Sequence, residues 1–168
     1  MAIAIYLSSF NRIHSFKRRL FIFESMSSSD PFRYEVRDNK TYIWDAFRKK
    51  FVFLSKEEWV RQNILYYLVH EKGYQSSSIS VEKQIQVGNT RKRYDAVVYI
   101  KEKPWLLLEC KEEGETLNEK VLQQVLAYTS VMQISFLAVT NGKQAYTYDL
   151  QQAKWIQGFP TYPNELTF

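Results

Sequence analysis

A chain of 168 residues, 45% hydrophobic and 24% charged, has the size of one domain with a substantial core. Its one cysteine, Cys110, excludes an intramolecular disulfide and a cysteine metal cluster, and the separation of its two histidines, His14 and His70, argues against a histidine-rich zinc site. The net charge of +5 is uneven: residues 1–25 hold four of the 23 basic residues and one of the 18 acidic ones, so the rest is nearly neutral and bulk charge is a weak argument for nucleic acid.

The first stretch, "MAIAIYLSSFNRIHSFKRRLFIFESMSSSD", reads apart from the rest. Its charges follow the apolar run rather than precede it, unlike a secretory signal. No run approaches the roughly 18 apolar residues of a membrane span, so no membrane partner is expected. Its Ser and Arg content with one acid before Asp30 has the look of a transit peptide. The plainer reading is a leader ahead of an alternative start at Met26, with Ser27–Asp30 as a linker. Residues 1–30 are thus expected to be a disordered N-terminal extension, and residues 31–168 the domain. A lone cysteine fits a reducing, cytoplasmic setting.

From Pro31 the elements follow in order. "FRYEV" and "TYIW" flank Asp38-Asn39 as a hairpin, and "KKFVFL" reads as a further short strand. Ser55 is placed to cap a helix, with Glu58 three residues on completing a capping box. Val60, Ile64, Tyr67 and Leu68 fall at helical spacing, and Gly73 stops the run. "SISVEKQIQV" alternates as one strand, and Gly88-Asn89 turns the chain. Two apolar runs follow, "DAVVYI" and "PWLLLECK". A second helix is predicted from Thr116 or Asn118 to about Met132. "ISFLAVT" reads as a buried strand, and Asn141-Gly142 as a two-residue hairpin turn returning through "QAYTYDL". The fold class is therefore α/β, a central mixed sheet flanked by helices.

The charges that end the apolar runs need a reason. A hairpin over residues 93–111 with its turn centred on Glu102 sets Asp95 opposite Glu109, with Cβ atoms about 5 Å apart. Side chains alternate along a strand, so Lys111 shares the face of Glu109 and Cys110 points away, into the core. Two unpaired carboxylates about 4 Å apart repel by roughly 4 kcal/mol at a protein-like dielectric. Lys111 supplies one positive charge, and a hard divalent ion would supply two. Such a set suits phosphodiester hydrolysis, in which Mg²⁺ held by the acids polarises a phosphate and acidifies a water. The backbone carbonyl of Cys110 could complete the oxygen shell. The alternative is a partly buried salt-bridge cluster of net charge −1. In the second helix Leu117, Val121, Val125, Tyr128 and Met132 form an apolar stripe, with Gln124 at its edge. Gln124 and Tyr128, four apart, can reach the same neighbour: a lysine, a water or a phosphate. The alternative there is a satisfied core glutamine and a tyrosine whose hydroxyl reaches solvent.

The order Asp95, Glu109-x-Lys111, Gln124-x-x-x-Tyr128 resembles the PD-(D/E)XK nuclease superfamily in its Gln-x-x-x-Tyr branch. More closely, "EEWVRQNILYYLVHEKGY", "RYDAVVY", "PWLLLECK", "QQVLAYTSV" and "LAVTNG" resemble, in that order, segments of the N-terminal nuclease domain of type I restriction enzyme R subunits. The resemblance covers about residues 40–150. It implies a restriction-endonuclease-like core and Mg²⁺-dependent cleavage of DNA, with Mn²⁺ as a substitute. It implies metal-binding roles for Asp95 and Glu109, a catalytic role for Lys111 and supporting roles for Gln124 and Tyr128. The family's first helix usually offers a glutamate four before an arginine, here Glu57 before Arg61. A first-turn acid favoured by the helix dipole explains Glu57 equally well, while Glu58 is assigned to capping. The proline of the family's first motif is replaced by Tyr94.

No G-x-x-x-x-G-K-[ST] phosphate loop is present, so a motor or specificity subunit would have to come from elsewhere. Arg91, Lys92 and Arg93, just before Asp95, and Lys143 at the Asn-Gly turn are the candidate DNA contacts, phosphates above all. A solvated loop explains the same run. The competing functions are a non-catalytic nucleic-acid-binding module or accessory subunit of a restriction complex, and a structural domain whose charges merely pair.

Overall fold

The computed structural model describes residues 30–163. The leader and the alternative start at Met26 lie outside the described residues. In chain order, β1 (Tyr34–Arg37), β2 (Lys40–Asp45) and β3 (Lys50–Phe53) precede helix α1 (Lys56–His70). A 3-10 turn leads to β4 (Ile79–Val81), β5 (Gln84–Val87), β6 (Thr90–Arg93), β7 (Ala96–Ile100) and β8 (Lys103–Cys110). Helix α2 (Glu119–Leu126) passes into a 3-10 turn, Ala127–Ser130, and β9 (Phe136–Thr140), β10 (Ala145–Asp149) and β11 (Lys154–Gln157) follow.

Continuous apolar strands need cover on both faces. The central sheet, in the order β11-β10-β9-β8-β7-β4, has it. On one face Ala96, Val98, Leu106, Leu108 and Cys110 pack against Val60, Ile64, Leu65 and Leu68 of α1. On the other, Val97, Leu107, Leu137 and Val139 pack against Val121, Leu122 and Val125 of α2. Each fully buried aliphatic side chain contributes about 1.5–3 kcal/mol. The β8–β9 pair is parallel and the other pairs are antiparallel, so the sheet is mixed, with α2 in the crossover between the parallel strands. The expected α/β class stands.

The caps are local and match the sequence. Ser55 Oγ accepts from the Glu58 amide at 3.0 Å. Asn118 Oδ1 accepts from Lys120 and Val121 at 3.0 and 3.4 Å. The second half of the expected capping box is absent, however. The Ser55 amide donates to the Phe53 carbonyl, and the Glu58 carboxylate turns inward to Arg48, Arg61 and Gln62. Two guanidiniums reward that carboxylate more than one amide would.

Four further expectations change. "SISVEKQIQV" is two strands, broken at Glu82, whose φ of +53° takes the chain out of the sheet and into the separate β5–β6 ribbon. The basic run preceding Asp95 is therefore a strand, β6, and not a loop. Asn141-Gly142 opens a four-residue connection rather than a two-residue turn, because Asn141 Oδ1 accepts from the amides of both Lys143 and Gln144 and bends the chain itself. The second helix also tightens into its 3-10 turn at Ala127, short of Met132.

Candidate active site

The β7–β8 hairpin sets the acids. Its turn is Lys101-Glu102, both at positive φ (48° and 64°), one half-step earlier than expected. A bulge leaves Trp105 unpaired and restores the expected register: Val98 faces Leu106 and Ala96 faces Leu108. Asp95 and Glu109 are the next residues out, beyond the last paired positions. Both are buried, at 5% and 4% exposure. Cys110 is fully buried on the α1 side, as alternation requires.

Each acid is held differently. Asp95 Oδ1 accepts from Arg61 Nη2 at 2.7 Å, and its Oδ2 from the Cys110 amide at 2.5 Å. Glu109 Oε1 accepts from Gln124 Nε2 at 2.6 Å and Lys111 Nζ at 3.1 Å. Glu109 Oε2 is buried and, among the described residues, has no hydrogen-bond partner. Burial first, and the Asp95 charge second, push the Glu109 carboxyl up to about 7 against the opposing pull of Lys111. Burial lowers the Lys111 ammonium, but the Glu109 charge and hydrogen bond outweigh it, so the net shift is upward. Glu57, half-exposed at the rim, lies 3.5 Å from Arg61 Nη2. Its carboxyl is raised by burial and then by Asp95.

The structure therefore brings Asp95, Glu109, Lys111 and Gln124 into one cluster, with Glu57 at its edge. Among the described residues Gln124 and Tyr128 share no hydrogen-bond partner, contrary to expectation. The Tyr128 hydroxyl, on the 3-10 turn that follows the helix, donates to the Arg93 carbonyl at 2.9 Å and braces the segment that enters Asp95. Burial, then the two acids, push that phenol up to about 12. Lys92 Nζ lies 5.9 Å from the Tyr128 ring centroid. Arg93 Nε pairs with Glu82 at 3.0 Å, and Lys143 with Glu113 at 2.7 Å. Arg91 is exposed on β6.

Two residues went unassigned by sequence reasoning. Arg61 is 4% exposed and ion-pairs with Glu58 at 2.5 Å, Glu82 at 3.0 Å and Asp95 at 2.7 Å. A signal existed: Arg61 precedes Ile64 by three and Leu65 by four, so it lies on the apolar stripe, where a cation must find acids. Glu82 receives Arg48, Arg61 and Arg93, and its amide donates to the Asp95 carbonyl at 3.1 Å. Nothing local announces it.

Among the described residues, no group of three or more His, Cys, Asp or Glu side chains forms a metal cluster, and no helix is long and apolar enough to cross a membrane. No curated protein matches the chain significantly. The family model described as type I restriction enzyme R protein N terminus matches residues 56–162, from the start of α1 past β11, leaving β1–β3 outside. That span covers more than half of the chain and contains every residue of the cluster, and its placement is consistent with the PD-(D/E)XK nuclease superfamily. The chain belongs to the family of type I restriction enzyme R protein N-terminal domains.

Proposed function

We propose that this chain is a metal-dependent nuclease that hydrolyses DNA phosphodiester bonds, working beside a motor or specificity subunit. The observation that carries the reading is Glu109 Oε2, a buried carboxylate oxygen without a partner beside a second buried acid. Such an atom is costly unless something positive meets it. A hard cation that keeps most of its waters and takes one or two carboxylates, as Mg²⁺ does, fits a two-acid set. Mn²⁺ is the natural substitute. Asp95, Glu109 and the Cys110 carbonyl would hold it. When bound, the ion would polarise a phosphate oxygen and lower the pKa of a water.

The chain's own residues do the rest. Gln124 fixes Glu109 Oε1, which leaves Oε2 directed elsewhere. Arg61 and the Cys110 amide fix both oxygens of Asp95, and each oxygen retains a further lone pair. Lys111 keeps its proton and offers positive charge where a phosphate would gain negative charge. Glu57 adds a rim carboxylate. Arg91, Lys92 and Arg93 on β6, and Lys143, would contact phosphates.

A second reading, a binding module without turnover, draws on one observation: Arg61 already neutralises Asp95. Supercoiled plasmid with Mg²⁺ or Mn²⁺ against EDTA, beside Asp95→Ala and Lys111→Ala, separates the two. Metal-dependent nicking that both variants lose supports the nuclease. A folded wild type that binds DNA and cuts nothing supports the module.

A further inference from the structure

We propose that the outer face of the β1–β3 meander, with the groove beside it, is a stacking platform for single-stranded nucleic acid. Cross-strand pairing puts Tyr42 beside Phe53 and Trp44 beside Phe51 on one face, while Ile43 and Asp45 are fully buried on the other. The ring centroids lie 6.0 and 5.3 Å apart, edge to face. None of the four rings belongs to either core cluster or packs against one. Phe53 is 53% exposed. The demands of the core thus do not explain four aromatic side chains on one side of a three-stranded sheet.

Two arginines cross these rings. The Arg33 guanidinium lies 5.2 Å from the Trp44 centroid and 6.0 Å from Phe51. That of Arg37 lies 5.5 Å from Tyr42 and 5.9 Å from Phe51. Arg37 also pairs with Glu35. Arg33 is exposed and, among the described residues, has no acidic ion-pair partner. Beside it, Arg33 and Trp44 form one wall of a groove of about 400 Å³ whose other walls include Phe32, Phe47, Tyr66 and His70. That volume holds a nucleotide-sized group.

The chemistry selects the occupant. Aromatic faces stack any base, and a guanidinium flat on a ring keeps its N–H donors for phosphate. Duplex DNA hides its base faces, so an unpaired strand is the form that can use the rings. A second copy of the chain, docked about a two-fold axis, would set one arginine-bearing patch against the same patch of its partner. The platform is also tied to the acid cluster. Asp45 at the end of β2 pairs with Arg48, Arg48 with Glu58, Glu58 with Arg61 and Arg61 with Asp95. Because β1–β3 lie outside the matched residues, family membership does not bear on this face. The inference stands apart from the nuclease reading.

The test is fluorescence anisotropy of a labelled single-stranded oligothymidine against the same length of duplex, in EDTA, with the full chain. Working without metal keeps cleavage out of the readout, so the two readings fail separately. The wild type is expected to favour the single strand, and Phe53→Ala, Tyr42→Ala and Arg33→Ala each to weaken it about tenfold, the scale of one stacked base. Circular dichroism melts confirm that these surface variants stay folded. Binding lost with Arg33→Ala but unchanged in both ring variants would overturn the platform in favour of charge alone. No single-strand binding by the wild type also overturns it, as does a dimer by light scattering that Phe53→Ala dissolves without any oligonucleotide response.

Discussion

Arg61 Nη2 lies 2.7 Å from Asp95 Oδ1, although the two residues are 34 positions apart. The same guanidinium also meets Glu58 and Glu82, which have Arg48 and Arg93 besides, whereas among the described residues Asp95 ion-pairs with Arg61 alone. Removing one partner of a buried pair leaves the other charge uncompensated, here Asp95, at a cost of about 3–5 kcal/mol. Arg61→Leu is therefore expected to lower the melting temperature by about 2–4 °C for each of those kcal/mol. An unchanged melt at neutral pH would show that the acids do not depend on this cation.

Glu109 sets the pH dependence. Its carboxyl is raised from 4.5 to about 7, first by burial and then by Asp95. Between those values the folded chain holds a proton that the unfolded chain has lost. Stability from this group is thus complete below pH 4.5, falls as pH rises, and is gone above about 7. Glu109→Gln cannot titrate. Its stability relative to wild type is expected to climb across that window, by a few kcal/mol at most, read from urea melts at each pH. Mg²⁺ added at pH 8 is expected to raise the wild-type melt and leave Glu109→Gln unmoved. A constant difference between the two proteins from pH 4 to 8 would contradict the shift.

What could be read from the sequence was local or periodic. The Ser55 and Asn118 caps, the Asp38-Asn39 turn and the two-sided sheet all follow from residue type and spacing. The register of the β7–β8 hairpin, with Ala96 opposite Leu108, was legible despite a misplaced turn, because the buried pattern fixes register and the bulge at Trp105 absorbs the difference. The break at Glu82 was not legible. A non-glycine residue at positive φ is held there by three arginines from elsewhere in the chain, and no neighbour betrays them. The same holds for Tyr128, whose hydroxyl partner, the Arg93 carbonyl, depends on a helix tightening that no residue marks. Strand β11 escaped notice because it is short and half-buried, with no alternating apolar signal of its own.

Gln124 and Tyr128 should separate in function because their contacts separate. Gln124 touches both Glu109 and Lys111, whereas Tyr128 touches backbone. Tyr128→Phe is expected to cost about 0.5–1.5 kcal/mol of stability and little cleavage beyond that. Gln124→Ala is expected to leave the melt nearly unchanged, since the residue is exposed, and to slow cleavage. Equal cleavage losses in both would mean that the tyrosine acts on the acids after all. Initial rates and urea melts on the two variants decide it.

Lys111 is the sharpest test of the site. Its ammonium lies 3.1 Å from Glu109 Oε1 and 3.4 Å from Gln124 Oε1, and its side chain is 13% exposed. It is one of the groups that hold the Glu109 carboxyl down. Without it, Glu109 has the Asp95 charge beside it and less to oppose the proton, so its pKa rises further. The acid limb of the pH–rate profile is then expected to move upward in Lys111→Ala. The rate itself is expected to fall by about 10²–10³-fold, the scale of one lost charge-stabilising donor. Lys111→Arg restores the charge with a different shape, and is expected to recover the acid limb more fully than the rate. Plasmid nicking across pH 6 to 9, with DNA affinity measured in parallel, reads both quantities. A Lys111→Ala protein that nicks at the wild-type rate with an unmoved acid limb would leave Lys111 as a partly buried structural ion pair and return the cluster to a purely structural role.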